Sequence, residues 1–364
     1  MRFRFVLYVA ALIAPAANAQ VISDVAGSGQ QGYFGDGAAA VNAWLAMPTG
    51  IAFDQAGNLY FADVGNRVVR QVNTSGIIST FAGNEMLFFG NNGDGGPATS
   101  AIFGWNGGTP YIGVAVDKSG NFYVSDSSNG TGLVRKVDTK GIISTYAGGG
   151  FADSGDGTPA AGAGLRTAAG LAVDKQGNLY IADTVGERIR KVDTQGIIST
   201  VAGNGTTNYT GDGGPAINAT LSVPVGVAVD GQGNLYITEA GNALYGPRVR
   251  KVDTSGNIST VAGNGQYGFI GDGQSALTAE FGNNLEGIAA DNAGNIYIAD
   301  YGNSRIRKVD PSGTINTIAG NGKPGGSGEN GNGGLALDSL VHERAHAGCI
   351  RQSLCLGLFC PADP

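Results

Sequence analysis

Short apolar runs alternate with turn-forming clusters along most of this chain, and the same runs return in the same order. Gly50-Ile51-Ala52-Phe53-Asp54 recurs as Gly113-Val114-Ala115-Val116-Asp117, then again ending at Asp174, Asp230 and Asp291, at intervals of roughly 60 residues. Each copy continues through a turn such as Gln55-Ala56-Gly57-Asn58 into Leu59-Tyr60-Phe61-Ala62-Asp63. An Arg-rich run follows, as in Arg188-Ile189-Arg190-Lys191-Val192-Asp193, then a turn and Ile197-Ile198-Ser199-Thr200-Val201-Ala202-Gly203. Alternation in Val-Ala-Val and Leu-Tyr-Ile is the period of a strand with one buried face. No copy holds a helix-length periodic segment. Four strands per unit, repeated, predict an all-β propeller of four-stranded blades, in which radial repetition protects most sheet edges.

The pattern P-x-G-(I/V)-A-(V/F)-D-x-x-G-N-(L/I)-Y-(I/F)-(A/T)-(D/E), followed by R-(I/V)-R-K-V-D, resembles the NHL-repeat family over about residues 21 to 340. The appended I-S-T-V-A-G-N-G and G-D-G-G-P-A resemble the repeats of bacterial secreted NHL proteins and teneurin-type propellers. The Asn-His-Leu run that names the family is absent; Gly65-Asn66-Arg67 and Gly302-Asn303-Ser304-Arg305 stand in its place. The resemblance implies six blades. Five full copies are present, and Val21-Ile22-Ser23-Asp24-Val25-Ala26-Gly27 matches a fourth strand, so the N-terminal segment is expected to close the ring.

The inner strands of a sixth blade are expected after Gly331-Asn332-Gly333-Gly334, and the pattern breaks there. Residues 341–364 form an atypical tail that holds both histidines and every cysteine (His342, His346, Cys349, Cys355 and Cys360). A one-base shift of the codons for Ala345 to Gln352 is able to spell Pro-Thr-x-Val-Ala-Phe-Asp. The tail is therefore read as a frameshifted sixth blade, with a genuine divergent tail as the alternative.

Met1-Arg2-Phe3-Arg4, an apolar stretch from Phe5 to Ala17 and the small residues of Ala17-Asn18-Ala19 predict a signal peptide over residues 1–19. The propeller then occupies 20–340. The expected location is secreted or periplasmic, in a bacterium, with no membrane insertion after cleavage. The net charge of −7 and pI near 4.8 argue against nucleic acid, which needs a basic face. The 64 glycines sit at fixed places between apolar runs, as turns rather than low complexity.

His342-Glu343-Arg344-Ala345-His346 spells H-E-x-x-H, a zinc signature when it lies on a helix. No helical context surrounds it, and a chance match is the preferred reading. Asp36, Asp94, Asp156, Asp212 and Asp272 each sit in Gly-Asp-Gly. Calcium needs six to eight oxygens, so a turn-fixing role is preferred and calcium is the weaker expectation; no other cofactor is implied. An aromatic precedes most of these motifs (Phe34, Phe151, Tyr209, Phe269), as expected of packing. Asp63, Asp126, Asp183, Glu239 and Asp300 are expected to pair with Arg70, Arg135, Arg190, Arg250 and Arg307; exposed pairs of this kind contribute about 0–1 kcal/mol.

The departures from the repeat carry the functional expectation. They include Glu85-Met86-Leu87-Phe88-Phe89, Phe103-Gly104-Trp105 and Asn242-Ala243-Leu244-Tyr245. Trp44, Phe88, Phe89, Trp105, Tyr111 and Tyr245 are the candidate ligand-binding residues of one loop face, because function on repeat folds concentrates in such departures. The expected function is a non-catalytic extracytoplasmic propeller that recognises a protein or glycan. The alternative is a calcium-dependent hydrolase or lyase of the six-bladed type. Residues 20–341 contain no His, no Cys and no G-x-S-x-G elbow, which weighs against metal-His and nucleophile chemistry.

Overall fold

A computed structural model describes residues 22–85, 93–105, 111–128, 131–150 and 155–323, with the backbone of a short strand at Leu7–Tyr8. The signal-peptide cleavage site, Phe88, Phe89, Phe151 and the tail with its His and Cys lie outside the described residues.

Five antiparallel sheets form in sequence order, each an up-and-down meander. Blade one is built from Pro48–Phe53, Leu59–Asp63, Val68–Val72 and Ile78–Gly83. Blade two uses Val114–Val116, Phe122–Ser128, Thr131–Val137 and Ile143–Gly150. Blade three uses Ala168–Val173, Leu179–Asp183, Arg188–Val192 and Ile197–Ala202. Blade four uses Pro224–Val229, Leu235–Glu239, Arg248–Val252 and Ile258–Ala262. Blade five uses Leu285–Ala290, Ile296–Asp300, Arg305–Val309 and Thr314–Ala319.

The D-x-x-G-N-x-Y motif is a clamp on the first hairpin. Asp54 accepts hydrogen bonds from the Asn58 backbone N–H at 2.8 Å, the Asn58 side chain at 2.7 Å and the Tyr60 hydroxyl at 3.2 Å. Asp174, Asn178 and Tyr180 repeat it in blade three, and Asp230, Asn234 and Tyr236 in blade four. The third-to-fourth turn is an Asx-turn: Asp138 accepts from the N–H groups of Lys140 and Ile142.

The glycine of the first strand sets how closely the blades approach around the axis. A Cβ on Gly170 would lie 2.6 Å from the Val225 carbonyl oxygen, and one on Gly226 2.6 Å from that of Glu286. Gly50 meets Ile112, and Gly113 meets Ala169, in the same way. Each inner strand thus touches the backbone of the next. Gly287, in blade five, has only the Ala299 methyl within 4 Å, at 3.9 Å, among the described residues.

The sector between blades five and one holds the predicted closing segment. Ile22 is buried against Ala299, Ile306 and Ala319 of blade five. Ala26 packs on Ala40, Ala43, Leu45 and Leu59 at blade one. Asp24–Ala26 also pairs antiparallel with Leu7–Tyr8.

The Gly-Asp-Gly loops cover the outer edge of each following blade. Ala39 bridges to Ile77, Pro97 to Ile142 and Pro215 to Asn257, while Thr158–Pro159 pairs with the fourth strand of blade three. Covered edges are closed to pairing with other chains.

Candidate functional site

The repeated ionisable residues meet inside the blades. Arg70 is fully buried, 2.6 Å from Asp36 in the preceding loop and 3.4 Å from Asp63 at the end of the second strand. Arg135 joins Asp94 and Asp126, Arg250 joins Asp212 and Glu239, and Arg307 joins Asp272 and Asp300. In blade three, Arg190 holds Asp156 at 2.8 Å and donates its other nitrogen to the Gly164 carbonyl at 3.1 Å.

This corrects the expectation of exposed, weak pairs. The guanidinium groups and second-strand carboxylates are out of water, so each is needed by the other. Burial pushes Asp63 and Glu239 up to about 7 and Asp126 and Asp300 up to about 6, against hydrogen bonds and the arginine charge that pull the other way. Asp94 and Asp212 are more open. For them the burial penalty is outweighed by hydrogen bonds from Thr145 and Thr260 and by the arginines, and both fall below the usual carboxylate range.

The loop aspartates have a second task. The fourth strand carries a bulge: Val69 pairs with Ala82 but Arg70 pairs with Thr80. Asp36 accepts the Thr80 N–H at 3.0 Å, and Asp94 accepts that of Thr145 at 2.9 Å. A carboxylate holding a guanidinium and a backbone N–H has few lone pairs left for calcium. No three His, Cys, Asp or Glu come together as a metal cluster among the described residues. The aromatic ahead of Gly-Asp-Gly stacks on arginine, with Tyr209 lying 3.6 Å from the Arg248 guanidinium and Phe269 at 3.6 Å from that of Arg305. In blade one that place belongs to Tyr33, 5.0 Å from Arg70, and not to Phe34.

An axial cavity of about 170 Å³ lies among the inner strands. Its lining is mostly glycine backbone and aliphatic side chains such as Ile112, Leu171, Val225 and Ile288. Tyr111 borders it, half-buried, and also packs against the core between blades three and four. Glu286 is the one carboxylate in this lining.

Among the described residues, the candidate binding residues do not form a single patch. Trp105 is 1% exposed, stacked on Phe103 at 4.4 Å and donating its indole N–H to the Ser125 carbonyl, so it is core between blades one and two rather than a surface anchor. Trp44 is 42% exposed on the loop entering blade one, where it meets Phe34, itself 59% exposed. Tyr245 is half-buried in the enlarged second-to-third-strand loop of blade four. Beside it Leu244 is 82% exposed at a turn fixed by Asn242, whose side-chain oxygen accepts the N–H groups of Leu244 and Tyr245. Tyr267, unremarked in the sequence, donates its hydroxyl to the Asn242 carbonyl at 2.8 Å and joins the two loops.

Blades, glycine ring and closing segment define an NHL-type β-propeller. The family model for the teneurin NHL domain matches residues 8–92, 148–210 and 204–269, and that for the NHL repeat matches 283–309. The chain belongs to this family. It is 29% identical to teneurin-4 of Mus musculus over 295 residues and 31% identical to teneurin-3 of the same organism over 294, in each case 70% of this chain. It spans only about 10% of the length of those relatives. Among solved structures, a Bacteroides thetaiotaomicron protein of unknown function superimposes with a TM-score of 0.56 at 16% identity, covering 85% of this chain and 66% of its own. A gluconolactonase from Xanthomonas campestris gives 0.50 at 12% identity, covering 87% and 84%. At these identities the likeness is one of fold.

Proposed function

We propose that this chain is a non-catalytic, extracytoplasmic binding propeller that recognises a protein or glycan through its inter-strand and inter-blade loops. The observation that carries this reading is the contrast between used and unused chemistry. The repeated carboxylates and arginines are committed to holding blades together. Large apolar side chains stand in solvent where the repeat is broken: Leu244 beside blade four, with Tyr267 near it, and Phe34 and Trp44 at blade one. Large side chains fixed in place lose little entropy on contact and serve as anchors in recognition. Location outside the cytoplasm rests on the basic-apolar-small start of the sequence.

The alternative of a calcium-dependent hydrolase or lyase draws on Glu286 in the axial cavity. One carboxylate among aliphatic walls is a poor match to a cation that takes six to eight oxygens. The test has two arms. The full chain is assayed on a lactone panel with and without calcium, and its adhesion to intact cell surfaces is measured for wild type and Leu244→Asp. No turnover, with adhesion lost in Leu244→Asp, supports the binding reading. Calcium-dependent turnover abolished by Glu286→Gln overturns it in favour of the enzyme.

A further inference from the structure

We infer that Phe34 and Trp44 form a stacking platform for one sugar ring of a neutral glycan. The inference deepens the binding reading above and rests on it. The two rings lie 5.4 Å apart at an interplanar angle of 46°. The fold does not require them. The isolated bridge that joins Phe34 to Trp44 recurs as Thr210 with Thr220, with no aromatic at either place.

The pair is held in position by its surroundings. Trp44 donates its backbone N–H to the Phe34 carbonyl at 3.1 Å. Its benzenoid ring rests on Gly32, where a Cβ would come within 3.2 Å of Cε3. The Gly32 carbonyl is tied down by the Asn66 side chain at 2.7 Å. Tyr33, between Gly32 and Phe34, is fixed below by Thr80 at 2.7 Å and by the Arg70 guanidinium. Rings ordered before contact lose little freedom on binding.

A pyranose presents a face of polarised C–H groups to such rings, and its hydroxyls remain at the edge. Gln31 and Asn42, both exposed amides on the same two segments, supply donors and acceptors of the neutral kind that hydroxyls use. The only carboxylate on these segments, Asp36, is engaged by Arg70. A protein partner is the poorer fit at this place, because stable protein interfaces bury about 800 Å² on each side around an apolar centre. Here the apolar part is two rings and Val41, well short of such a centre.

The chain has two tryptophans, and the other, Trp105, is buried in the core. Acrylamide quenching of the full chain therefore reports Trp44 over an unquenched background. The probes are cellohexaose, maltohexaose and chitohexaose. We expect at least one to shield Trp44 from acrylamide, and Trp44→Ala and Phe34→Ala to weaken binding of that sugar, measured by calorimetry, by about tenfold or more with unchanged melting. The inference is overturned if none of the three shields Trp44, or if both variants bind as wild type. Cell-surface adhesion that survives Trp44→Ala but fails in Leu244→Asp would leave the binding reading standing and remove only the glycan platform.

Discussion

Arg250 and Asp212 meet at 2.6 Å where the loop leaving blade three folds onto the outer strands of blade four. The arginine is fully buried, Glu239 lies 3.5 Å from its other nitrogen, and the Tyr209 ring stands 4.8 Å from the guanidinium. One cation thus fixes the inter-blade loop, the third strand and the end of the second strand. Arg250→Met leaves Glu239 buried without its ion-pair partner, and we expect a loss of about 3–5 kcal/mol. Asp212→Asn removes a partly exposed partner and keeps Glu239 paired, so about 1 kcal/mol is expected. Urea unfolding of the two variants beside wild type checks the ordering; equal losses would mean that the loop carboxylate, rather than the cation, organises the seam.

The two tryptophans separate in the same kind of experiment. Trp105 fills the interface of blades one and two, stacked on Phe103, so Trp105→Ala empties a large core volume and is expected to destabilise by about 3–5 kcal/mol. Trp44→Ala removes a half-exposed ring and is expected to change stability by less than about 1 kcal/mol. A melting-temperature series reads both, and a large drop for Trp44→Ala would place that ring among the packing residues.

The burial of Trp105, against its expected place on a loop face, has a physical reason. The repeat is legible because hydrogen bonding and alternation act locally: Asp54 clamps Asn58 and Tyr60 within one hairpin, so the motif spells its own structure. The closing strand was legible for the same reason, since Ile22 and Ala26 copy Ile78 and Ala82. The inter-blade loops are different. Their side chains face whichever blade they cross, and nothing within the loop states whether an aromatic turns inward, as Trp105 does, or outward, as Trp44 does. Nearness to Gly-Asp-Gly suggests packing for Phe34, but counting back from the glycine puts Tyr33, not Phe34, in register with Tyr209. Burial of the second-strand carboxylates was hidden too, because a charge at a strand end reads as solvent-facing until the loop that covers it is known.

Those buried carboxylates make stability depend on pH. Asp63 and Glu239 at about 7, and Asp126 and Asp300 at about 6, keep their protons in the folded chain at pH values where the unfolded chain has lost them. The stabilisation from this is complete below about pH 4 and is lost as pH rises through 6 to 7. Asp94, Asp212 and Asp230 are lowered and act in the opposite sense, contributing above about pH 4 and failing as pH falls. The melting midpoint is therefore expected to be highest near about pH 4 and to decline as pH rises to about 7. Glu239→Gln cannot ionise and should flatten part of that decline. A midpoint that climbs steadily from pH 5 to pH 8 in wild type contradicts the expectation.

The glycine ring yields the sharpest contrast, because one chemical change has different results at equivalent positions. Gly170→Ala drives a methyl to 2.6 Å from the Val225 carbonyl oxygen, and Gly226→Ala does the same toward Glu286. Carbonyl oxygens of a packed inner strand have no room to move aside, so each is expected to cost about 1–3 kcal/mol through overpacking. Gly287→Ala occupies the same place in the repeat but faces the sector of the closing segment, where the Ala299 methyl at 3.9 Å is an ordinary contact among the described residues. That variant is expected to lie within about 0.5 kcal/mol of wild type. Denaturant melts of the three alanine variants test the difference. If Gly287→Ala is as damaging as the other two, an inner strand packs against blade five as tightly as blade four packs against blade three, and the ring is closed at its axis by backbone. If it is tolerated, closure depends on the outer contacts of Ile22 and Ala26, and Ile22→Asp becomes the substitution that opens the propeller.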